Sequence, residues 1–167
     1  MSRLLALPLL AVLFIAPVTA LLVAPAAQAH EINQDGVRIT HPFATPTPPG
    51  APNGGAYLDI SAEGDAISLV GASSPISKAV EIHSMSMDNG TMQMRRLESL
   101  DVPPGVTVKM RPGESGAHFM LIGLEEALEV GDKFSLTLEF ANRDSLEVEV
   151  WVQPAGEGSA AADGHHH

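Results

Sequence analysis

The chain has 167 residues, with 20 acidic side chains against 9 basic ones, no cysteine, and one Trp and one Tyr. A formal charge of −11 at pH 7 argues against a nucleic-acid binder, because displacing counterions from a polyanion needs a basic surface. The missing thiols exclude disulfides, zinc-thiolate sites, cysteine nucleophiles and thiolate-ligated blue copper.

Residues 1–29 read as a signal peptide. Arg3 supplies a short positive start, an apolar run extends from Leu4 to about Ala27, and Ala27-Gln28-Ala29 is a small-x-small cleavage site. Cleavage after Ala29 leaves 138 residues (167 − 29) with a charge of 8 − 20 = −12, outside the cytoplasm, in a periplasmic or other extracytoplasmic compartment. No membrane span is then expected. Retention as an anchor is the alternative, since the run is long enough to cross a bilayer, although Pro8, Pro17 and Pro25 interrupt it. The remaining length suits one domain with its own core, placed at residues 30–153. Residues 154–167, rich in Gly, Ala and Ser and ending in His165-His166-His167, are expected to form a flexible tail.

Strand signals then follow in order. Residues 36–40 form a short strand candidate. Residues 41–55 hold five prolines and three glycines and predict an extended, irregular connection, since proline cannot donate to a ladder. Ala56 to Ile60 alternates, with Tyr57 and Asp59 on one face, and Ile67 to Gly71 is another candidate. Ala79 to Met85 alternates with Val80 and Ile82 on one face and Glu81, His83 and Met85 on the other. Asp88-Asn89-Gly90 is a hairpin signal, and 91–97 is the return strand. Residues 106–110 and 117–124 continue the pattern, and 125–128 is expected to form one helical turn. Phe134 to Phe140 and Leu146 to Val152 make a last hairpin through Asn142-Arg143-Asp144. Short strands parted by Gly/Pro turns predict an all-β protein, an antiparallel Greek-key β-sandwich.

The chemistry gathers between residues 80 and 120. Met85, Met87, Met92 and Met94 lie within ten residues, and His83 and His118 bracket them. Residues two apart on a strand share a face, which pairs His83 with Met85, Met92 with Met94, and His118 with Met120. A hairpin about Asp88-Asn89-Gly90 puts His83 near the position opposite Met94, and a third strand carrying His118-x-Met120 would complete two histidines and two methionines. Neutral thioethers and imidazoles suit Cu(I), the soft ion that matches thioether sulfur. Methionines also fill core gaps. Packing is the preferred reading for Met110, and both readings stay open for Met87 and Met92.

The pattern H-x10-M-x23-H-x-M from His83 to Met120 resembles the periplasmic PCuAC copper chaperones. So do Val70-Gly71-Ala72-Ser73-Ser74-Pro75, Val80-Glu81-Ile82-His83, Met94-Arg95-Arg96, Pro104-Gly105, Arg111-Pro112-Gly113 and Gly123-Leu124. The 41–50 segment also matches, with Phe43 where that family usually has Trp. The resemblance implies a cupredoxin-like sandwich. It implies Cu(I) held by His83, Met94, His118 and Met120, with Met85 as a substitute ligand, and delivery to the binuclear copper site of cytochrome c oxidase subunit II or another copper acceptor. The spacing between Met94 and His118 is two residues longer than usual. Two residues in the 113–116 turn leave His118 on the same face, since two is the strand period.

Secondary sites are the tail histidines His165, His166 and His167, which could capture Cu(II), and His30, whose amine and imidazole would chelate together at a new N-terminus. His30 raises the rival of a copper mono-oxygenase, but only His41 is a candidate partner and few aromatics could form a substrate face. An electron-transfer cupredoxin would need the absent thiolate. The expected function is therefore non-enzymatic copper carriage in the cell envelope. General copper sequestration there, or a metal-free interaction sandwich, are the alternatives.

Overall fold

The computed structural model describes residues 31–113 and 116–163. The expected signal peptide, His30 and the three tail histidines lie outside the described residues. The elements are β1 (Glu31–Gln34), β2 (Val37–Ala44), β3 (Asn53–Ala62), β4 (Ile67–Ser73), β5 (Ser77–Asp88), β6 (Thr91–Arg96), β7 (Leu100–Val102), β8 (Thr107–Lys109), β9 (Gly116–Leu124), β10 (Lys133–Phe140), β11 (Leu146–Val152) and α1 (Ala155–Asp163). The nine strands expected from alternation are all present, and β1 and β7 add to them.

Hydrogen-bonded neighbours run β2-β11-β10-β4-β5-β9-β3, and β3 returns to β2 to close a barrel. The closure is thin at two places. β4 meets β5 through the single pair Ala72 and Val80, and β11 meets β2 through two pairs. Those seams flatten the barrel into two packed layers, with β2, β3, β9, β5 and β6 in one and β11, β10, β4 and β7 in the other. The β2–β11 pairing is parallel, a departure from the all-antiparallel expectation.

Alternation explains the layers. Leu58, Ile60, Leu69, Phe119, Leu121, Leu138 and Val150 point inward and are fully buried. Removing such apolar area from water stabilises the fold by roughly 25 cal/mol per Å². Met110 joins them, buried as packing predicts.

Three expectations need correction. β2 does not stop at Thr40. It continues through His41 and Pro42 to Ala44, with a register shift between Thr40 and Phe43. His41 takes a positive φ of 53°, so the bulge absorbs the proline and returns Phe43 opposite Tyr57. Residues 125–128 form no helical turn. The backbone of Leu128 is held by the 45–52 connection, through Thr47 N–H to its carbonyl at 3.0 Å and its own N–H to Thr47 Oγ1 at 2.9 Å, while its side chain enters the core. Most of the tail expected to be flexible is the helix α1. Ala160, Ala161 and Ala162 favour a helix, and Gly158 lets it lie on Phe43: a Cβ there would come within 2.3 Å of the ring.

Candidate metal centre

The β5–β6 hairpin turns on two residues. Asn89 and Gly90 both have positive φ, 48° and 78°, the conformation of the twist-matched two-residue turn that Asn-Gly favours. Asp88 therefore pairs with Thr91, and counting back places Met87 opposite Met92, Met85 opposite Met94, and His83 opposite Arg96. The expected His83–Met94 opposition is off by two residues. The two share a face but stand as diagonal neighbours, about 7–8 Å apart.

On its other side β5 pairs with β9. His83 lies directly opposite His118, Glu81 opposite Met120, and Met85 opposite Gly116. The ring centroids of the two histidines are 5.8 Å apart, edge to face. Met120 and Met85 flank this pair on opposite sides along the strands, and Met94 lies across from Met85. Among the sulfurs, Met85 and Met120 are thus on the two strands that carry the histidines, and Met94 is one strand further out.

A row of rings supports the pair from the far side. Phe43 stacks on Tyr57 at 5.2 Å, and Tyr57 lies 6.4 Å from His118. His118 is only 4% exposed. Burial, with the nearby His83 charge second, pushes its pKa below the ordinary histidine value of 6.5, so the ring is neutral and carries a lone pair at neutral pH. Gly55 makes room for this wall, since a Cβ there would lie 2.6 Å from the Tyr57 hydroxyl.

Glu81 was not singled out from the sequence. Its Oε2 lies 2.8 Å from His83 Nε2, and its Oε1 lies 3.0 Å from Arg96 Nη1. The hydrogen bond to His83, with the Arg96 charge assisting, lowers its pKa. A carboxylate on Nε2 holds the proton there and leaves Nδ1 as the acceptor nitrogen. His83 Nδ1 is buried without a hydrogen-bond partner, so this second ring nitrogen is uncommitted. The E-x-H alternation on one strand face was the signal for this contact.

The loop that delivers His118 is pinned by a buried ion pair. Arg111 reaches Asp59 through Nη1–Oδ1 at 2.5 Å and Nη2–Oδ2 at 3.1 Å, and Nη1 also donates to the Met110 carbonyl at 2.7 Å. Asp59 lies two residues from Tyr57 on the same face of β3, so the pair ties the approach to β9 beside the ring wall.

Among the described residues, no group of three or more His, Asp or Glu side chains converges as a metal cage. Two imidazoles among thioethers are a donor set suited to a soft cation. The tail sites His165, His166 and His167, and His30, lie outside the described residues. His41 sits at the β2 bulge. Among the described residues no helix is long and apolar enough to cross a membrane.

Comparison with solved structures returns the same fold. The copper-bound PCuAC domain from PmoF2 superposes with a TM-score of 0.63 at 22% identity, over 75% of this chain and 98% of that one. Apo-DR1885 from Deinococcus radiodurans gives 0.56 at 25% identity, over 87% of this chain and 97% of that one. The CuI form of DR1885 gives 0.51 at 26%, over 76% and 81%. A protein named "Putative lipoprotein Lxx21020" from Leifsonia xyli subsp. xyli (strain CTCB07) is 31% identical over 129 residues, 76% of this chain and 75% of that one. The family model described as "Putative lipoprotein LpqE-like" matches residues 37–152, the span from the start of β2 to the end of β11. The barrel of this chain is shared with PCuAC domains, and the chain belongs to the LpqE-like family.

Proposed function

We propose that this protein is a copper carrier of the cell envelope that binds Cu(I) and releases it to an acceptor, without catalysis. The observation that carries this reading is the facing pair His83 and His118. One ring has a buried, unpartnered Nδ1, the other is held neutral by burial, and thioethers lie on the same face to either side. The ligands are His83, His118 and Met120, with Met94 as the fourth and Met85 able to take its place from the nearer strand. Four neutral ligands leave the single positive charge of Cu(I) uncompensated nearby and disfavour Cu(II). The solved relatives support the metal, since one is described as a copper-bound domain and another as a CuI form.

The acceptor that the PCuAC resemblance implies is the binuclear copper site of cytochrome c oxidase subunit II, reached by exchange of thioether and imidazole ligands. Export is supported by the leader and by the lipoprotein descriptions of the family and the relative.

Titration with Cu(I) against a chromophoric chelator tests the reading. One tight equivalent is expected for the wild type, and it should be lost in His118→Ala/Met120→Ala. Equal behaviour of the two proteins would reduce the methionines to packing and remove the carrier function.

A further inference from the structure

The exposed methionines of the β5–β6 ribbon are unexplained by packing. Met85 faces Met94 and Met87 faces Met92 on successive rungs, so all four thioethers share the His83 face. β9 begins at Gly116, opposite Met85, and beyond that rung no third strand covers the ribbon among the described residues. Met87 is 59%, Met94 48% and Met92 42% exposed, whereas the core residue Met110 is 0% exposed. The reverse face carries Ser84 opposite Arg95 and Ser86 opposite Gln93, so no apolar layer lies behind the sulfurs.

Directly opposed side chains of an antiparallel pair have Cβ atoms about 4.5–5.5 Å apart. Two facing methionines, each with a long flexible stem, can therefore close on one ion. Thioether donors select Cu(I) over harder cations.

We propose that Met85, Met87, Met92 and Met94 form a second, thioether-only Cu(I) site that captures the ion at the ribbon tip and loads the inner site. The destination rests on the carrier reading above, but the outer ligands are independent of both histidines. Met85 and Met94 occupy the rung next to His83 and serve both sites. Transfer is ligand exchange: a Cu–S bond to Met87 or Met92 breaks as a Cu–N bond to His83 Nδ1 forms. The metal remains Cu(I), so no oxidant or reductant is consumed.

The test uses the protein labelled with 13C at its methionine methyls and titrated anaerobically with Cu(I). Wild type is compared with Met87→Leu/Met92→Leu, which keeps an apolar ribbon, and with His83→Ala/His118→Ala. The Met120 methyl should shift with the first equivalent and the Met87 and Met92 methyls with a second. The leucine variant should keep the first equivalent, lose the second, and load the inner site more slowly from a chelated Cu(I) donor. The histidine variant should retain the Met87 and Met92 shifts. Methyls of Met87 and Met92 that stay fixed through a twofold excess of Cu(I), or a leucine variant that still takes the second equivalent, would overturn the outer site. Failure of the carrier reading is separate: the Met120 methyl would not move and no tight first equivalent would appear, whatever Met87 and Met92 do.

Discussion

Replacing Asp59 by Ala tests how the fold holds the β9 side of the centre. Asp59 and Arg111 are each 5% exposed, and the guanidinium meets the carboxylate through two contacts. Asp59→Ala removes the carboxylate that faces this buried guanidinium. Breaking one partner of a buried pair costs about 3–5 kcal/mol, a large part of a typical domain stability of about 5–15 kcal/mol. With a urea slope of about 2 kcal/mol per molar, the unfolding midpoint should fall by about 1.5–2.5 M. Urea unfolding followed by the fluorescence of Trp151 measures it. The companion Asp59→Leu/Arg111→Met removes both charges and fills the space, so it should recover most of the loss, because well-packed apolar replacements of buried ion pairs are often neutral or better. A midpoint shift below about 0.5 M for Asp59→Ala, or a double variant as unstable as the single one, would show that the pair does not anchor the loop. The double variant should also bind Cu(I) more weakly than wild type if the pair orients His118 as well as stabilising the fold.

Other outcomes follow from the same geometry. Glu81→Leu removes the partner that fixes the His83 ring, and loss of such a supporting contact should weaken Cu(I) binding about 10–100-fold, read in the chelator competition, with the urea midpoint little changed. Gly158→Val drives a side chain into the Phe43 ring, so α1 should leave the barrel at a cost of about 1–3 kcal/mol. Faster amide hydrogen exchange confined to α1 and β2 is the readout. The metal-free protein should lose stability as pH falls below about 6.5, because the unfolded chain protonates His118 at that ordinary value while the folded protein, with its depressed pKa, resists. Above that window the contribution is fully present, and in His118→Asn the pH dependence of the urea midpoint should flatten there.

Much of this architecture is legible in the sequence because the strands alternate cleanly. Val80, Ile82 and Leu121 against Glu81 and His83 define the two faces without further information. The pairing of His83 with Arg96 was also readable: Asn89-Gly90 is the pair that favours a two-residue turn, and counting from it, rather than from a three-residue turn, gives the observed register. The continuation of β2 was hidden because Pro42 ordinarily ends a strand, and only tertiary closure against β3 and β11 repays the bulge at His41. The helix α1 was obscured by its glycines. Gly156 and Gly158 lower helix propensity, and what offsets them is docking on Phe43, a contact between residues more than a hundred positions apart that local pattern does not contain.

The ribbon that carries the thioethers has two chemically unlike sides. A collision from the sulfur side meets Met85, Met87, Met92 and Met94, while one from the reverse side meets Ser84, Ser86, Gln93 and Arg95. Encounters with a donor or an acceptor are thereby sorted by approach direction before any bond to the metal changes. A partner that presents a flat, apolar, soft-ligand surface can lie along the sulfur side, whereas one arriving from behind is separated from the metal by the thickness of the hairpin. The alternation of side chains along the two strands thus becomes a filter on productive contacts.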